Sequence, residues 1–303
     1  MLKVAIQGEA GCFHDAAAHS YFRRFGEVTT VPCETFPDMF DALGADPELL
    51  GVMAIENTIA GPLLPNHELL RRSGMQVIGE IKERISHMLC ALPGQEIDDI
   101  TEVNSHPMAL MQCERFLRRH PRMKAVERDD TAGSAAEIAR LGLRGHAAIC
   151  GEFAADLYGL PILARSIETN PHNFTRFLVL AHPDDPRPDT LQADRPVDKA
   201  MVEFTLPHTT GALSKVLTIF SFYDINLTKI QSTPIVGREW EYRFYVDLSF
   251  DSPVRYRQSL EAVRPLVNRL TVMGEFAGSP NPVPSWGADT QSATSTNQVT
   301  TAS

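Results

Sequence analysis

The segment His182-Pro183-Asp184-Asp185-Pro186-Arg187-Pro188-Asp189 divides this chain in two. Three prolines and three aspartates in eight residues supply neither a helix's donors nor a strand's pairing, so they predict a linker running to about Asp198. Before the linker, β-branched runs at 3–7, 51–55, 76–81, 100–104, 146–150, 162–167 and 174–180 alternate with helical patterns at 13–25, 64–72, 107–119 and 131–141. Pro107 stands where a first-turn proline belongs, and Thr131 is placed to cap its helix. The alternation predicts an α/β unit over residues 1–182 with a mostly parallel sheet, its ligand beyond the carboxyl ends of the strands. After the linker, residues 199–278 read strand, helix, strand, strand, helix, strand, the order of a ferredoxin-like unit. From Ser279 the composition falls to Ser, Thr, Pro, Asn and Ala, which predicts a disordered tail over 279–303.

At 303 residues the chain exceeds what one core serves, and 43% apolar with 22% charged residues is globular usage. The net charge of −10 repels phosphate backbones, so nucleic acid is excluded as a partner. Residues 199–278 are close to neutral, so nearly all of that charge falls on residues 1–198, and an anion bound there needs a locally built site. Five scattered cysteines without a C-x-x-C suggest neither disulfides nor a zinc knuckle and fit a reducing compartment. The start, Met1 to Gly8, is too short for a signal segment, and no apolar run approaches the ~18 residues of a membrane span. Cytoplasm without a membrane partner is the expectation. The ten histidines form no H-E-x-x-H or similar carboxylate cluster, so no metal is expected.

Four stretches carry candidate chemistry. Gly8-Glu9-Ala10-Gly11 follows a strand and precedes a helix, a geometry that offers N–H groups to an anion and equally suits a plain tight turn. Glu56-Asn57-Thr58 closes an apolar strand, where Asn57 faces a cleft or forms an Asx turn. Ser105, a possible N-cap, lies two helical turns before Gln112, so both fit one cleft. Asn173-Phe174-Thr175-Arg176-Phe177 puts a hydroxyl and a guanidinium into an otherwise apolar strand, where a buried guanidinium must find partners. Neighbouring strand residues point to opposite faces, so Thr175 and Arg176 address one ligand only if the backbone twists or bulges. The basic run Arg115 to Lys124 reads as a solvated face.

Together these stretches resemble the prephenate dehydratase family over residues 1–278: Gly8 to Phe13, Glu56-Asn57-Thr58, Ser105-His106-Pro107 with Gln112-Cys113, Thr131-Ala132 with Ala135-Ala136, and Asn173 with Thr175-Arg176-Phe177. The resemblance implies a two-lobed catalytic domain like the type II periplasmic binding proteins, with the substrate between the lobes. It implies decarboxylating dehydration of prephenate to phenylpyruvate without a cofactor or metal. Thr175 is then the essential residue, Glu56, Asn57, Ser105 and Gln112 line the cleft, and Gly11, Asn173, Arg176 and Phe177 bind substrate. Thr175 is expected to help protonate the leaving hydroxyl, with a relay through Glu56 or water.

The second unit resembles an ACT domain, the family's phenylalanine sensor, on Gly211-Ala212-Leu213. The second sensor motif, usually Glu-Ser-Arg-Pro, stands as Gln231-Ser232-Thr233-Pro234, so a charge-assisted contact there is lost while Ser232 and Pro234 remain. His14 replaces the family's more usual serine. A homodimer or homotetramer is expected from the resemblance. Arogenate dehydration and a non-catalytic binding protein of the same fold are the rival readings.

Overall fold

A computed structural model describes residues 1–187, Leu191 and residues 195–280. The expected linker lies partly, and the expected tail beyond Pro280 wholly, outside the described residues.

In the first lobe, β1 (Leu2–Gln7), β2 (Val28–Cys33) and β3 (Leu50–Asn57) run parallel, and β4 (Gly61–Pro62) folds back on the end of β3. Helices α1 (Phe13–Phe22), α2 (Phe36–Ala45) and α3 (Leu64–Ser73) pack on this sheet. From β5 (Gln76–Arg84) the chain crosses to a second lobe of β6 (Met88–Ala91), β7 (Glu102–Ser105), β8 (Lys124–Glu127), β9 (His146–Cys150) and β10 (Ile162–Ala164). Their spatial order is β10-β6-β9-β7-β8, and α4 (Pro107–Gln112), α5 (Glu114–Arg119), α6 (Thr131–Leu141) and α7 (Glu152–Leu157) accompany them. The chain then returns as β11 (Phe174–Ala181), antiparallel between β3 and β5, giving the first sheet the order β2-β1-β3-β11-β5.

Both sheets are therefore mixed, which corrects the mostly parallel expectation. The cause is the double crossing between lobes, because a strand inserted on the way back runs against both its neighbours. The expected helix over 107–119 is two helices broken at Cys113. There the second crossover intrudes, with Thr169 N–H donating to the Gln112 carbonyl at 2.7 Å. The cap of α6 is Asp130, whose carboxylate accepts from Gly133 N–H at 2.7 Å, and not Thr131.

The two crossovers are tied to each other. Ile167 N–H donates to the His87 carbonyl at 3.0 Å and Ile85 N–H to that of Asn173 at 2.8 Å. The buried Glu168 carboxylate accepts from His87 N–H and from Arg84 Nη2, both at 3.0 Å.

The C-terminal unit follows the order β12 (Lys199–Thr205), α8 (Ala212–Phe222), β13 (Asn226–Pro234), β14 (Tyr242–Ser249), α9 (Pro253–Val263), β15 (Arg269–Phe276). Its antiparallel sheet runs β13-β14-β12-β15. Strand β12 is buried on both faces: Ala200, Val202 and Phe204 join the core with α8 and α9, and Met201 packs with Tyr245, Met273 and Phe276 against Leu178 and Leu180 of the first lobe. A Cβ at Gly274 would fall 2.1 Å from the Val77 carbonyl oxygen, so glycine there permits β15 to lie directly against β5. Among the described residues, no helix is long and apolar enough to cross a membrane.

Candidate active site in the cleft between the lobes

Strand β11 separates two environments by its side-chain alternation. Phe177 and Val179 enter the core shared by the two lobes, while Leu178 and Leu180 enter the core shared with the C-terminal unit. Thr175 falls with the first set and Arg176 with the second. A bulge does occur, but it lies in β3: pairing passes from Phe177 with Ala54 to Arg176 with Glu56, leaving Ile55 as the extra residue. Side chains satisfy the Ala54 groups at this bulge. Ala54 N–H donates to His14 Nε2 at 3.2 Å, and Asn66 Nδ2 donates to the Ala54 carbonyl at 2.7 Å. Burial pushes the His14 pKa down to about 4, so the ring is neutral and its nitrogen free to accept. His14 thus shapes the bulge that sets Asn57 opposite Thr175.

From Asn57 a chain of uncharged hydrogen bonds crosses to the second lobe. Asn57 Oδ1 accepts from the Ile59 and Ala60 N–H groups at 2.9 and 2.8 Å, which fixes the amide's orientation. Its Nδ2 then donates to Thr175 Oγ1 at 2.9 Å and to Asn173 Oδ1 at 2.8 Å. Asn173 Nδ2 in turn donates to Gln112 Oε1 at 2.9 Å. The same Gln112 oxygen lies 2.8 Å from His87 Nε2, so His87 carries its proton on Nε2 and presents a bare, buried Nδ1. Burial lowers the His87 pKa, and the Gln112 contact only partly opposes this.

The expected site residues therefore separate. Thr175, Asn57, Asn173 and Gln112 are joined in one network. Ser105 is not: it is fully buried and its hydroxyl donates to the Ile149 carbonyl at 2.6 Å, stitching β7 to β9, while His106 caps α4. Gly11 also departs from expectation. Its N–H already donates to the buried Asp15 carboxylate at 2.7 Å, and a Cβ there would lie 3.1 Å from Ala154 Cα, so the turn serves close packing between the lobes. Phe177 is core, edge-on to the His14 ring at 5.1 Å.

Arg176 and Glu56 face away from the cleft. The Arg176 guanidinium donates to Glu80 at 2.6 Å and to Asp247 of the C-terminal unit, and Glu56 pairs with Lys229 at 2.9 Å. Arg176 and Glu56 nevertheless line, with Thr175 and Lys229, a cavity of about 360 Å³ where β11 meets the C-terminal unit, and within it the Arg176 guanidinium and the Glu56 carboxylate are already held by these partners. His87 was not singled out in the sequence, and its position where the chain leaves the first lobe, in Ser86-His87, was the available sign. Among the described residues, no three His, Cys, Asp or Glu side chains are grouped to hold a metal ion. In the C-terminal unit, a cavity of about 500 Å³ at the start of α8 is lined by Ala212, Leu213, Trp240 and Phe244, and Gly211 opens the helix with φ +75°. Ser232 and Pro234 are not part of that lining.

Residues 4–185 match the sequence model of the family described as Prephenate dehydratase. The arogenate dehydratase/prephenate dehydratase 6, chloroplastic, of Arabidopsis thaliana is 35% identical over 291 residues, covering 91% of this chain and 68% of the relative. A solved prephenate dehydratase from Arthrobacter aurescens in complex with L-Phe superposes with TM-score 0.76 at 26% identity, over 91% of this chain and 90% of that one. GqqA, described as a novel type of quorum quenching acylase, superposes with TM-score 0.79 at 26% identity, over 92% of this chain and 98% of that one. The family match over the two lobes, together with the cleft network they carry, shows that this chain belongs to the prephenate dehydratase family.

Proposed function

We propose that the protein is a prephenate dehydratase acting at the Thr175 network, inhibited by L-phenylalanine bound to an ACT-type C-terminal unit. Prephenate's ring carboxylate leaves as carbon dioxide, and the electron pair of the broken C–C bond completes the aromatic ring as the ring hydroxyl departs with one proton as water. The reaction therefore needs a donor at the departing oxygen, held still in a site that excludes bulk water.

The observation that carries this reading is the direction of the hydrogen bonds. Because Thr175 Oγ1 accepts from Asn57, the Thr175 O–H remains available to donate to the leaving hydroxyl. Asn57, Asn173 and Gln112 hold that oxygen without placing a competing charge beside it, and His87 Nδ1, unprotonated at neutral pH, is the titratable nitrogen at the network's far end. Acyl transfer is a poorer fit. It calls for a nucleophile beside a base, and the Thr175 hydroxyl is bonded to an amide.

The about 500 Å³ cavity at Gly211-Ala212-Leu213 supports the sensor reading, since its Trp240 and Phe244 suit an aromatic side chain and the N–H groups opening α8 suit a carboxylate. Pairing of C-terminal units into a homodimer or homotetramer belongs to the same proposal, as does a cytoplasmic location, in keeping with five cysteines that are all unbridged.

Arogenate is the rival substrate, favoured by the Arabidopsis relative whose name carries both activities. Turnover of prephenate and L-arogenate is to be measured side by side, with and without L-phenylalanine. Phenylpyruvate formation that falls on adding phenylalanine is expected. Faster turnover of arogenate would transfer the assignment to that substrate, and hydrolysis of an acyl amide with no turnover of either would overturn it.

A further inference from the structure

Four charged residues behind the cleft form a frame that neither the family match nor the cleft network explains. Thr175 and Asn57 are register partners across β11 and β3, and the residues beside them, Arg176 and Glu56, are partners as well. Each of this second pair is gripped by the C-terminal unit, Arg176 by Asp247 and Glu56 by Lys229. Asp247 and Lys229 are themselves register partners across β14 and β13. Two strand pairs from different units are thus joined rung to rung. The grip on Arg176 is buried, since the Arg176 and Asp247 side chains are 9% and 2% exposed. Glu80 completes it, taking Arg176 Nε at 2.6 Å and Lys199 Nζ at 2.9 Å. Burial pushes the Glu80 carboxyl up, but Arg176 and Lys199 outweigh that and hold it below the usual range, so it stays charged.

We infer that Asp247 and Lys229 are positioning residues supplied by the C-terminal unit to the reaction in the first lobe, an inference that rests on the dehydratase reading above. Through Arg176 and Glu56 they set the twist of β11 and β3 at the one rung where Thr175 meets Asn57. Both residues line, with Thr175, Arg176 and Glu56, the cavity of about 360 Å³ where β11 meets the C-terminal unit, and their own ion pairs there are with Arg176 and Glu56. The frame also specifies what a ligand in the C-terminal unit can act on: Lys229 lies two residues before Gln231 on β13, so a shift of that strand moves Glu56 and with it the Asn57 backbone.

Asp247→Asn and Lys229→Gln test this in the full chain, each keeping side-chain size while removing charge. Both are expected to lower kcat about tenfold while KM stays within about twofold, because a displaced donor costs rate more than binding. Lys229→Arg is expected to restore kcat. Arg243→Gln is the control, since it breaks ion pairs with Glu203 and Glu68 at the same interface without touching Arg176 or Glu56, and should leave kcat unchanged. Amide hydrogen exchange over residues 174–178 should quicken in Asp247→Asn and not in Arg243→Gln. Wild-type kcat in both charge-removing variants, or an equal loss in the control, would overturn the inference. Should the unaltered chain turn over neither prephenate nor arogenate, the dehydratase reading fails by itself, and the exchange comparison still decides whether the frame holds β11.

Discussion

The two faces of β11 carry opposite chemistry within one residue of each other. Toward the cleft, Thr175, Asn57, Asn173 and Gln112 are linked by uncharged hydrogen bonds of 2.8 to 2.9 Å. Toward the C-terminal unit, Arg176, Glu80, Lys199 and Asp247 form a buried ion network. Amides and hydroxyls exchange partners at a cost of about 1 kcal/mol each, so the cleft face can re-form around a ligand. A buried charge stripped of its partner costs several times that, so the other face holds one arrangement. The difference teaches that the strand is anchored by its charged side and works by its neutral side.

Substitution at the neutral face should have the largest effect. Thr175→Ala is expected to reduce kcat about 10³-fold with thermal unfolding close to wild type, and Thr175→Ser to retain part of the activity. Near-normal turnover of the alanine variant would break the assignment of the working face. At the charged face the expectation reverses: Arg176→Met strands Asp247 and should lower stability by about 3–5 kcal/mol, read by denaturant titration. A stability change under about 1 kcal/mol would show that the network is not the anchor.

The contrast is sharpened by Gly274→Val, which leaves both sets of polar residues intact. Its side chain would meet the Val77 carbonyl, so the two sheets must separate, at about 1–3 kcal/mol, with exchange quickening in β5 and β15.

Acid acts on both faces. His14 on the cleft side and His67 beside Tyr245 on the interface side both have pKa values pushed down to about 4, in each case chiefly by burial. In the unfolded chain each titrates near 6.5, so between about pH 6.5 and 4 the unfolded state binds more protons. Stability should therefore fall on acidification across that window, by about 1 kcal/mol for each pH unit and histidine, and His67→Gln should flatten the decline. An unchanged slope in that variant would assign the acid sensitivity to the cleft face alone.

Much of the architecture was legible because it rests on local patterns. The C-terminal unit reads directly from its alternation of strand and helix periods, and β12 runs Lys199–Thr205 as expected. Strand β2 escaped detection because Pro32 argues against a strand. It is tolerated there since β2 is the sheet's edge, and edge status is a property of topology. Helix α2 carried a legible start in Thr35 and Asp38, which cap each other, and was overlooked beside that obscured strand. In the site, Thr175, Asn57, Asn173 and Gln112 were recognisable as polar residues at the ends of apolar elements. His87 was not, since nothing local distinguishes it until the crossover delivers it to Gln112.

The sequence by itself pointed to the two-unit division, many of the elements and the family, because periodicity, prolines and ordered motifs act over a few residues. Only the tertiary structure decided which polar residues work together. Thr175 and Arg176 are chain neighbours that serve different faces, while Thr175 and Asn57, 118 positions apart, share a hydrogen bond. Strand alternation makes the first separation inevitable, but which face meets a cleft and which meets a second domain depends on long-range pairing that no local pattern encodes.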